Sequence, residues 1–177
     1  MGWITHDSRV IYDNDWMTVR EDRVTNPGGG ENHYGHVHFK NVAVAVLPVD
    51  SDGNTRLVCQ SRYTLNDSSW ELPMGGAPLE EDPLEAAKRE LREETGLTAT
   101  SWSELMRLHP SNSITDERAI AYLATDLAEG PMELEETEDI TVKVLPVDDA
   151  LRMVLDGEIT DAVSAAALLR YALLRGV

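Results

Sequence analysis

Hydrophobic and polar residues alternate through the first forty positions with the two-residue period of β-strands. The alternation runs through residues 8–25, is interrupted at Asp13-Asn14-Asp15, and returns at 33–39 after a glycine-rich segment at 26–31. Strands with one apolar and one polar side are typical of antiparallel sheets that face water on one side. The pattern therefore predicts two strands joined by a turn, a loop and a further strand.

The alternation gives way to a nearly continuous apolar run at 41–50, which predicts a buried central strand. An Asp-Gly pair at 52–53 predicts a hairpin turn into the next strand. Later strands are predicted at 103–109, 118–127 and 139–147, and later helices around 147–156 and 161–175. Because strands and helices are interspersed, a mixed α/β or an α+β fold is predicted.

A further helix is predicted at 83–95, where both end signals are present. Asp82 is a strong N-cap, and Pro83 suits the first helical position because its missing N–H is not needed there. Glu85 completes a capping box with Asp82. Gly96 is the expected stop, because glycine adopts the left-handed conformation at little cost.

One side of this helix is apolar and must face a core, and its residues are Leu84, Ala87 and Leu91. Glu90 and Glu94 lie together beside that stripe, with Glu93 further round. Like charges four residues apart destabilise a helix by a few tenths of a kcal/mol. The crowding therefore indicates either a solvated acidic face or a site for a cation. The preceding segment, 70–82, is rich in glycine and proline and is expected to be a loop near the same rim.

The spacing of the residues in this region fits the pattern G-x5-E-x7-R-E-U-x-E-E-x-G-U, where U is aliphatic. It is matched at Gly75, Glu81, Arg89, Glu90, Leu91, Glu93, Glu94, Gly96 and Leu97. Ordinary residue usage puts a chance match on the order of 10⁻⁹ per window. The segment resembles the signature of the Nudix hydrolases at every fixed position.

The resemblance implies a Nudix fold, which is an α/β/α sandwich with a mixed β-sheet, preceded here by antiparallel N-terminal strands. It also implies a divalent metal, Mg²⁺ with Mn²⁺ as a substitute, and hard cations do prefer carboxylate oxygens. The implied metal ligands are Glu90, Glu93, Glu94 and the Met74 carbonyl. Glu93 and Arg89 are assigned to the catalytic machinery, Arg89 to orient the carboxylates, and Glu81 is expected to anchor the loop to the helix.

The flanking segments resemble pyrophosphatases of ADP-ribose and other nucleoside diphosphate sugars. They are "QSRYTLNDSSWELPMGG", "LHPSNSITDERAIAYLATDL" and the C-terminal third, and the likeness covers roughly 40–175. It implies hydrolysis of the pyrophosphate bond to a nucleoside monophosphate and a sugar phosphate. At 110–113, "PSNS" departs from the Pro-Gly-rich turn common in ADP-ribose enzymes, which leaves GDP-mannose open as a substrate.

In this subfamily the general base usually lies outside the helix, on an acidic loop. Here that loop is 133–140, and the resemblance makes Glu136 the expected base and Glu138 a further metal contact. A solvated acidic loop is the alternative interpretation. Glu117 matches a family position near the diphosphate, and a surface carboxylate at a strand edge is its alternative.

Three residues before the helix are candidate substrate contacts. Arg62 suits paired phosphate oxygens, although surface solvation would explain it as well. Tyr63 and Trp70 are candidate base-stacking platforms, although an aromatic residue at a strand end is more often part of a core. His33, His36 and His38 lie close in sequence, but only two share a strand face and no fourth zinc ligand is evident.

Composition narrows the classes of partner. The chain has 177 residues and a formal net charge of −17. That charge argues against nucleic acid, which needs a dense cationic surface. The single cysteine, Cys59, excludes an intramolecular disulfide, and its apolar surroundings predict a buried thiol. No signal peptide or membrane span is evident, so a cytoplasmic protein without membrane contact is expected.

The organisation expected from the sequence has two parts. Residues 1–40 form strands whose apolar sides need cover, and they are the expected homodimerisation element. Residues 41–177 form the Nudix domain. Two other classes stay open: a non-catalytic Nudix-fold sensor or regulator of nucleotide sugars, and an acidic protein with a structural role. Within the family, another nucleoside diphosphate derivative as substrate also stays open.

Overall fold

Ten strands and three helices are found in residues 2–133 and 139–176, which are the residues that this computed structural model describes. The strands are β1 (Ile4–Asp13), β2 (Met17–Thr25), β3 (Glu31–Phe39), β4 (Asn41–Pro48), β5 (Asn54–Arg62), β6 (Asp67–Glu71), β7 (Met74–Pro78), β8 (Leu97–Leu108), β9 (Ala119–Glu129) and β10 (Thr141–Pro146). The helices are α1 (Pro83–Thr95), α2 (Val147–Leu155) and α3 (Ala162–Arg175).

The central sheet has the strand order β7-β4-β9-β8, and it is mixed because β4 and β9 run parallel while the other pairs are antiparallel. Alternate residues of β4 enter different cores. Val42, Val44 and Val46 belong to the apolar cluster that includes residues of α1. Ala45 and Leu47 belong to the cluster that includes residues of α2 and α3. The α/β/α sandwich predicted from the sequence is therefore confirmed.

Helix α1 begins and ends where its sequence predicts. The Asp82 carboxylate accepts a hydrogen bond from the Leu84 amide at 2.8 Å. Gly96 has φ 69°, and a Cβ there would lie 2.3 Å from the Gly130 carbonyl oxygen. Both the left-handed backbone and the close approach of a second chain segment thus require glycine. Ala87 and Leu91 are fully buried, as the predicted apolar stripe requires.

The segment at 70–82, which we expected to be a loop, contains the end of β6 and all of β7. This expectation was wrong because β7 pairs with β4, from Asn41 opposite Pro78 to Ala45 opposite Met74. A strand of sequence MGGAP has little intrinsic β propensity. Its place is fixed by the ladder to the buried strand β4. β6 instead joins β5 and β10 in a separate three-stranded sheet.

Cys59 lies in β5 and is only half-buried, which corrects the prediction of a buried thiol. The apolar run that suggested burial does contain buried neighbours, Leu57 and Val58. Cys59 stands opposite Trp70 of β6 and Thr141 of β10. The sheet β10-β5-β6 is therefore only partly covered by other elements at Cys59.

The N-terminal strands form an antiparallel sheet with the order β1-β2-β3. The segment before β9 attaches to its edge: the Val37 amide donates to the Ile114 carbonyl, and the Asp116 amide donates to the Val37 carbonyl. The Asp116 carboxylate also accepts from the Phe39 amide at 2.9 Å and contacts His38 at 2.5 Å. These contacts hold the N-terminal sheet against the domain that carries α1.

The outer strand of this sheet leaves large apolar side chains exposed. About half of the surface of each of these residues is accessible to solvent: Trp3, just before β1, and Ile4, Val10, Ile11 and Tyr12 within it. Exposed apolar groups this close together are typical of an association surface.

In the part of the chain that the structure describes, no helix is long and apolar enough to cross a membrane.

Candidate active site

A cleft of about 720 Å³ lies where the N-terminal sheet, β7 and α1 meet. It is lined by Asp15, Trp16, Lys40, Asn41, Gln60, Arg62, Met74, Gly75, Gly76, Pro78, Glu81, Arg89, Glu90 and Glu94. A volume of this size is ordinary for a small-molecule site. The cleft contains several of the residues that the sequence pattern singled out.

Two carboxylates of α1 are buried at the base of this cleft. Glu94 is 1% exposed, and its carboxylate accepts a hydrogen bond from the Met74 amide at 2.9 Å. Glu90 lies against Gly75, where a Cβ would be only 2.1 Å from the Glu90 carboxyl carbon. Gly75 is therefore required because the Glu90 carboxylate occupies the space of a side chain. The strand β7 and the helix are fitted together at this point.

Arg89 connects these carboxylates to one another. Its Nη1 donates to Glu90 at 2.8 Å and to Glu93 at 3.0 Å, and its Nη2 lies 3.1 Å from the Gly76 carbonyl and 3.5 Å from Glu81. Burial alone would lower the pKa of the Arg89 guanidinium, but Glu90, Glu81 and Glu93 together raise that pKa well above its ordinary value. The arginine thus stays charged and contacts Glu90 and Glu93 together, while its role in orienting them stays a prediction.

The donor set fits a hard divalent cation in its chemistry. Glu90 and Glu94 supply carboxylate oxygens, and the backbone of Met74 lies beside Glu94. Within residues 2–133 and 139–176, no three His, Cys, Asp or Glu side chains form a ready metal cluster. Arg89 lies between two of the carboxylates in this arrangement. The positive charge of Arg89 reduces the electrostatic repulsion between these carboxylates, as a bound cation would also do.

Arg62 lines the cleft, and it is also engaged with a protein carboxylate. Its Nε donates to Glu71 at 2.9 Å and its Nη2 pairs with the other oxygen of the same carboxylate. Glu71 is buried. The hydrogen bonds that Arg62 donates to the Glu71 carboxylate raise the pKa of the Arg62 guanidinium above its ordinary value. The arginine is therefore held rigidly at the edge of the cleft.

The two predicted stacking residues do not line the cleft. Tyr63 is 97% exposed. Trp70 is half-buried against the apolar core, with the Lys143 ammonium 5.1 Å from its ring centre. The interpretation of Trp70 as a core aromatic, which the sequence left open, agrees with this packing. Their assignment as substrate contacts stays a prediction that this arrangement does not support.

Glu117 also lies outside the lining of the cleft. It is half-buried just before β9, and burial together with the nearby Asp161 carboxylate raises its pKa above the ordinary value. A carboxyl group with a raised pKa is better suited to accept a proton near neutrality. Glu117 is therefore a candidate acid–base group, while its contact with a diphosphate stays a prediction.

Glu136 and Glu138 lie outside the described residues. The chain that leads toward them is fixed on α1: the Gly130 amide donates to the Gly96 carbonyl at 2.7 Å, and the Glu133 amide donates to the Glu93 carbonyl at 3.0 Å. Arg92 forms a further ion pair with Glu133 at 3.5 Å. The acidic segment thus starts at the end of the helix that carries Glu94.

Outside the segment 70–82, sequence reasoning missed five residues that line the cleft: Asp15, Trp16, Lys40, Asn41 and Gln60. Trp16 is 67% exposed in the turn between β1 and β2, and a tryptophan directly after Asp13-Asn14-Asp15 was the signal available in the sequence. Asn41 lies so close to Gly76 that a Cβ on that glycine would be 2.5 Å from the amide nitrogen. Two of the three clustered histidines have carboxylate partners, since His36 contacts Asp22 and His38 contacts Asp116.

Comparison with known proteins agrees with this geometry. The NUDIX domain matches residues 39–167, and the nucleoside diphosphate sugar hydrolase N-terminal domain matches residues 3–37. The chain belongs to the Nudix family. The resemblance inferred from the signature is thereby confirmed, and the protein is a Nudix hydrolase.

Three similar proteins cover nearly the whole chain. An ADP-ribose pyrophosphatase of Mycobacterium tuberculosis is 36% identical over 93% of this chain and 81% of its own length. A CMP-5'-(N-acetyl-N-hydroxy-3-aminopropyl)phosphonate hydrolase of Streptomyces rubellomurinus is 30% identical over 96% and 82%. The solved structure of an ADP compounds hydrolase has a TM-score of 0.88 at 21% identity, covering 99% and 96%, and this likeness shows the shared fold.

We expect Glu90→Gln and Glu94→Gln to lose activity by several orders of magnitude and yet remain folded. Each change removes a candidate metal ligand but also removes one of several neighbouring negative charges. Thermal unfolding without added metal should therefore occur at the same or a slightly higher temperature. Glu85→Gln, on the exposed side of the same helix, is the matched control and should keep its activity. A marked fall in stability without metal would show that Glu90 and Glu94 are structural.

Proposed function

We propose that this Nudix hydrolase cleaves the pyrophosphate bond of a nucleoside diphosphate sugar of the ADP-ribose or GDP-mannose type. The products are a nucleoside monophosphate and a sugar phosphate. The observation that carries the proposal is the cleft in which the buried pair Glu90 and Glu94, the backbone of β7 and the fixed Arg62 face one space. The names of the two relatives, which both describe hydrolysis of nucleotide derivatives, support the same class of substrate.

Mg²⁺, with Mn²⁺ as a substitute, is the proposed cofactor. Glu90, Glu94 and the Met74 carbonyl would hold it, with Glu93 as a further ligand or a support. When bound, such an ion neutralises phosphate charge and acidifies a water molecule. Arg89 keeps the carboxylates oriented through its bonds to Glu90 and Glu93.

Arg62 is proposed to bind the diphosphate. Glu71 takes two of its donors on one side, which leaves the guanidinium in a fixed plane at the edge of the cleft. A guanidinium carries five N–H donors, so others remain for a phosphate oxygen. Because the arginine is already ordered, little side-chain entropy is lost when the substrate binds.

Glu136 is proposed as the general base and Glu138 as an additional metal contact. The attachment of residues 130–133 to α1 supports this role, because it starts the acidic segment beside Glu93. The carboxylates of α1 already have other partners, so a base from a neighbouring segment is needed. Glu136 would accept the proton of the attacking water.

The proposed assembly is a cytoplasmic homodimer that binds neither nucleic acid nor membranes. Residues 1–40 would form the dimerisation element and residues 41–177 the catalytic domain. The exposed apolar residues of β1 support the dimer, because burying them removes apolar surface from water. The turn that carries Asp15 and Trp16 also borders the cleft, so association and substrate binding would involve neighbouring surfaces.

Substrate preference is tested by a panel of ADP-ribose, GDP-mannose, UDP-glucose, ADP-glucose and nucleoside triphosphates, each with Mg²⁺. We expect a nucleotide sugar to have the highest kcat/KM, with a nucleoside monophosphate and a sugar phosphate as products by ³¹P NMR. Chelation by EDTA should abolish turnover. A preference for a triphosphate would contradict the proposal, and tight binding without turnover would favour the sensor alternative.

Replacing the proposed base provides a test of mechanism. Glu136→Gln should lower kcat by about 10²–10⁴-fold, the usual cost of losing a general base, while KM stays nearly constant. Glu138→Gln should instead raise the Mg²⁺ concentration needed for full activity, and Glu135→Gln is the neighbouring control. If Glu136→Gln keeps more than about half of the activity at saturating Mg²⁺, Glu117 or Glu135 becomes the candidate.

Oligomeric state is tested by light scattering of the full chain at micromolar concentration, where we expect a dimer. The double variant Val10→Asp and Ile11→Asp places charge on the exposed side chains of β1 and should shift the protein to a monomer. Surface charges at these exposed positions should leave the protomer folded. A monomeric wild-type protein would refute the assembly.

A further inference from the structure

The short connection between β6 and β7 carries the chain from one sheet to another. Strand β6 pairs with β5, whereas β7 pairs with β4 in the central sheet, and Leu72 and Pro73 lie between them. The next residue is Met74, whose amide donates to the Glu94 carboxylate at 2.9 Å and whose carbonyl is a proposed metal ligand. The position of that carbonyl therefore depends on what holds the connection in place.

The backbone of the connection is attached to two further elements. The Leu72 amide donates to the Ser164 hydroxyl oxygen of α3 at 2.9 Å. The Pro73 carbonyl accepts from the Val46 amide of β4 at the same distance. Proline has no N–H, so both amide donors of the segment from Leu72 to Met74 are engaged. One of them depends on a side chain, that of Ser164.

Ser164 is placed for this contact by the start of α3. Its amide donates to the carboxylate of Asp161, the N-cap of the helix, at 2.7 Å. The whole residue is buried, and it interrupts a run of alanine and other apolar residues. Alanine would suit this helix better, and a buried hydroxyl is costly unless it is hydrogen-bonded. The contact with the Leu72 amide meets that requirement.

Packing attaches the same connection to α3 through its side chains. Leu72 is fully buried in the apolar cluster that includes Ala167 and Leu168 of α3. Pro73 is also buried, and proline restricts the residue before it to extended conformations. Because interiors are close-packed, a change at the start of α3 would shift this segment. The amide and the side chain of Leu72 both follow the helix.

We propose that Ser164 is a positioning residue for the metal site. By accepting from the Leu72 amide, its hydroxyl fixes the backbone two residues before Met74 and thereby holds the Met74 carbonyl beside Glu94. The inference rests on the proposed function, in which these two groups hold Mg²⁺. It extends the support of the site from α1 to α3, a helix far from the signature in sequence.

The first test is Ser164→Ala, which leaves the buried Leu72 amide without its acceptor. Loss of a group that holds a metal ligand in place typically costs about 10–100-fold in metal affinity. Since Ser164 acts through the backbone, we expect the lower end, a rise of about tenfold in the Mn²⁺ dissociation constant. The measurement is electron paramagnetic resonance of free Mn²⁺ with the full chain and no substrate. In hydrolysis assays the Mg²⁺ requirement should rise equally, with KM at saturating Mg²⁺ within about twofold of wild type.

Amide hydrogen exchange provides a readout that needs no metal. In Ser164→Ala the Leu72 and Met74 amides should exchange about tenfold faster or more, because the local structure opens more easily. The Leu91 amide in α1 should exchange at the wild-type rate. Ser164→Cys keeps a weak acceptor of similar size and should lie between wild type and Ser164→Ala in both exchange and Mn²⁺ affinity.

Ala167→Gly is the matched control for a general loss of stability in α3. Ala167 is buried in the same cluster, and glycine weakens the helix without removing the acceptor of the Leu72 amide. The change should lower the temperature of thermal unfolding by about 2–4 °C. Mn²⁺ affinity and Met74 exchange should stay at the wild-type values.

Two results would overturn the inference. One is wild-type Mn²⁺ affinity in Ser164→Ala under conditions in which Glu94→Gln loses Mn²⁺ binding. The other is an equal loss of affinity in Ala167→Gly, which would make Ser164 a residue of general stability. Failure of the proposed function is distinguishable, because the effects on Mn²⁺ binding and exchange should persist whichever substrate the hydrolysis panel selects. A wild-type protein that binds no Mn²⁺ would overturn the metal site and this inference together.

Discussion

The burial of two glutamates on one helix is the constraint on which the site depends. Isolated carboxylates are costly to remove from water, so each needs a partner within the fold. The Met74 amide serves Glu94, and Arg89 serves Glu90 while also contacting Glu93. Several fixed positions of the signature thus contact these charges within the fold, independently of any substrate. The same arrangement holds carboxylate oxygens in positions where they could bind a cation.

The apolar core transmits this constraint to the rest of the molecule. β4 alternates between two cores, so a single strand fixes α1 on one side and α2 with α3 on the other. β7 pairs with β4 directly, and Gly75 lets its backbone approach the Glu90 carboxylate. The distance between α1 and the backbone of β7 is therefore set by the packing of the β4 valines and by the absence of a side chain at Gly75. Close packing of this kind makes the position of the carboxylates reproducible.

Local signals explain what could be predicted from the sequence. Caps define both ends of α1, and the apolar run defines β4, because each signal acts within a few residues. β7 was missed because its strand conformation depends on a partner strand 29 to 37 residues earlier. The lining residues Trp16 and Asn41 were missed for a similar reason, since only the folded chain brings the N-terminal sheet to α1. The cleft thus combines a local motif, readable in the sequence, with walls set by distant pairings.

The charges of the cleft explain why an acidic protein can act on an anionic substrate only with help. Among its lining residues, the three cations are already paired: Lys40 with Asp13, Arg62 with Glu71 and Arg89 with Glu90. Four carboxylates line the same space, those of Asp15, Glu81, Glu90 and Glu94. A diphosphate entering here would meet net negative charge and would be repelled. Binding of the proposed cation and binding of the substrate would therefore be thermodynamically coupled, each strengthening the other by the same factor.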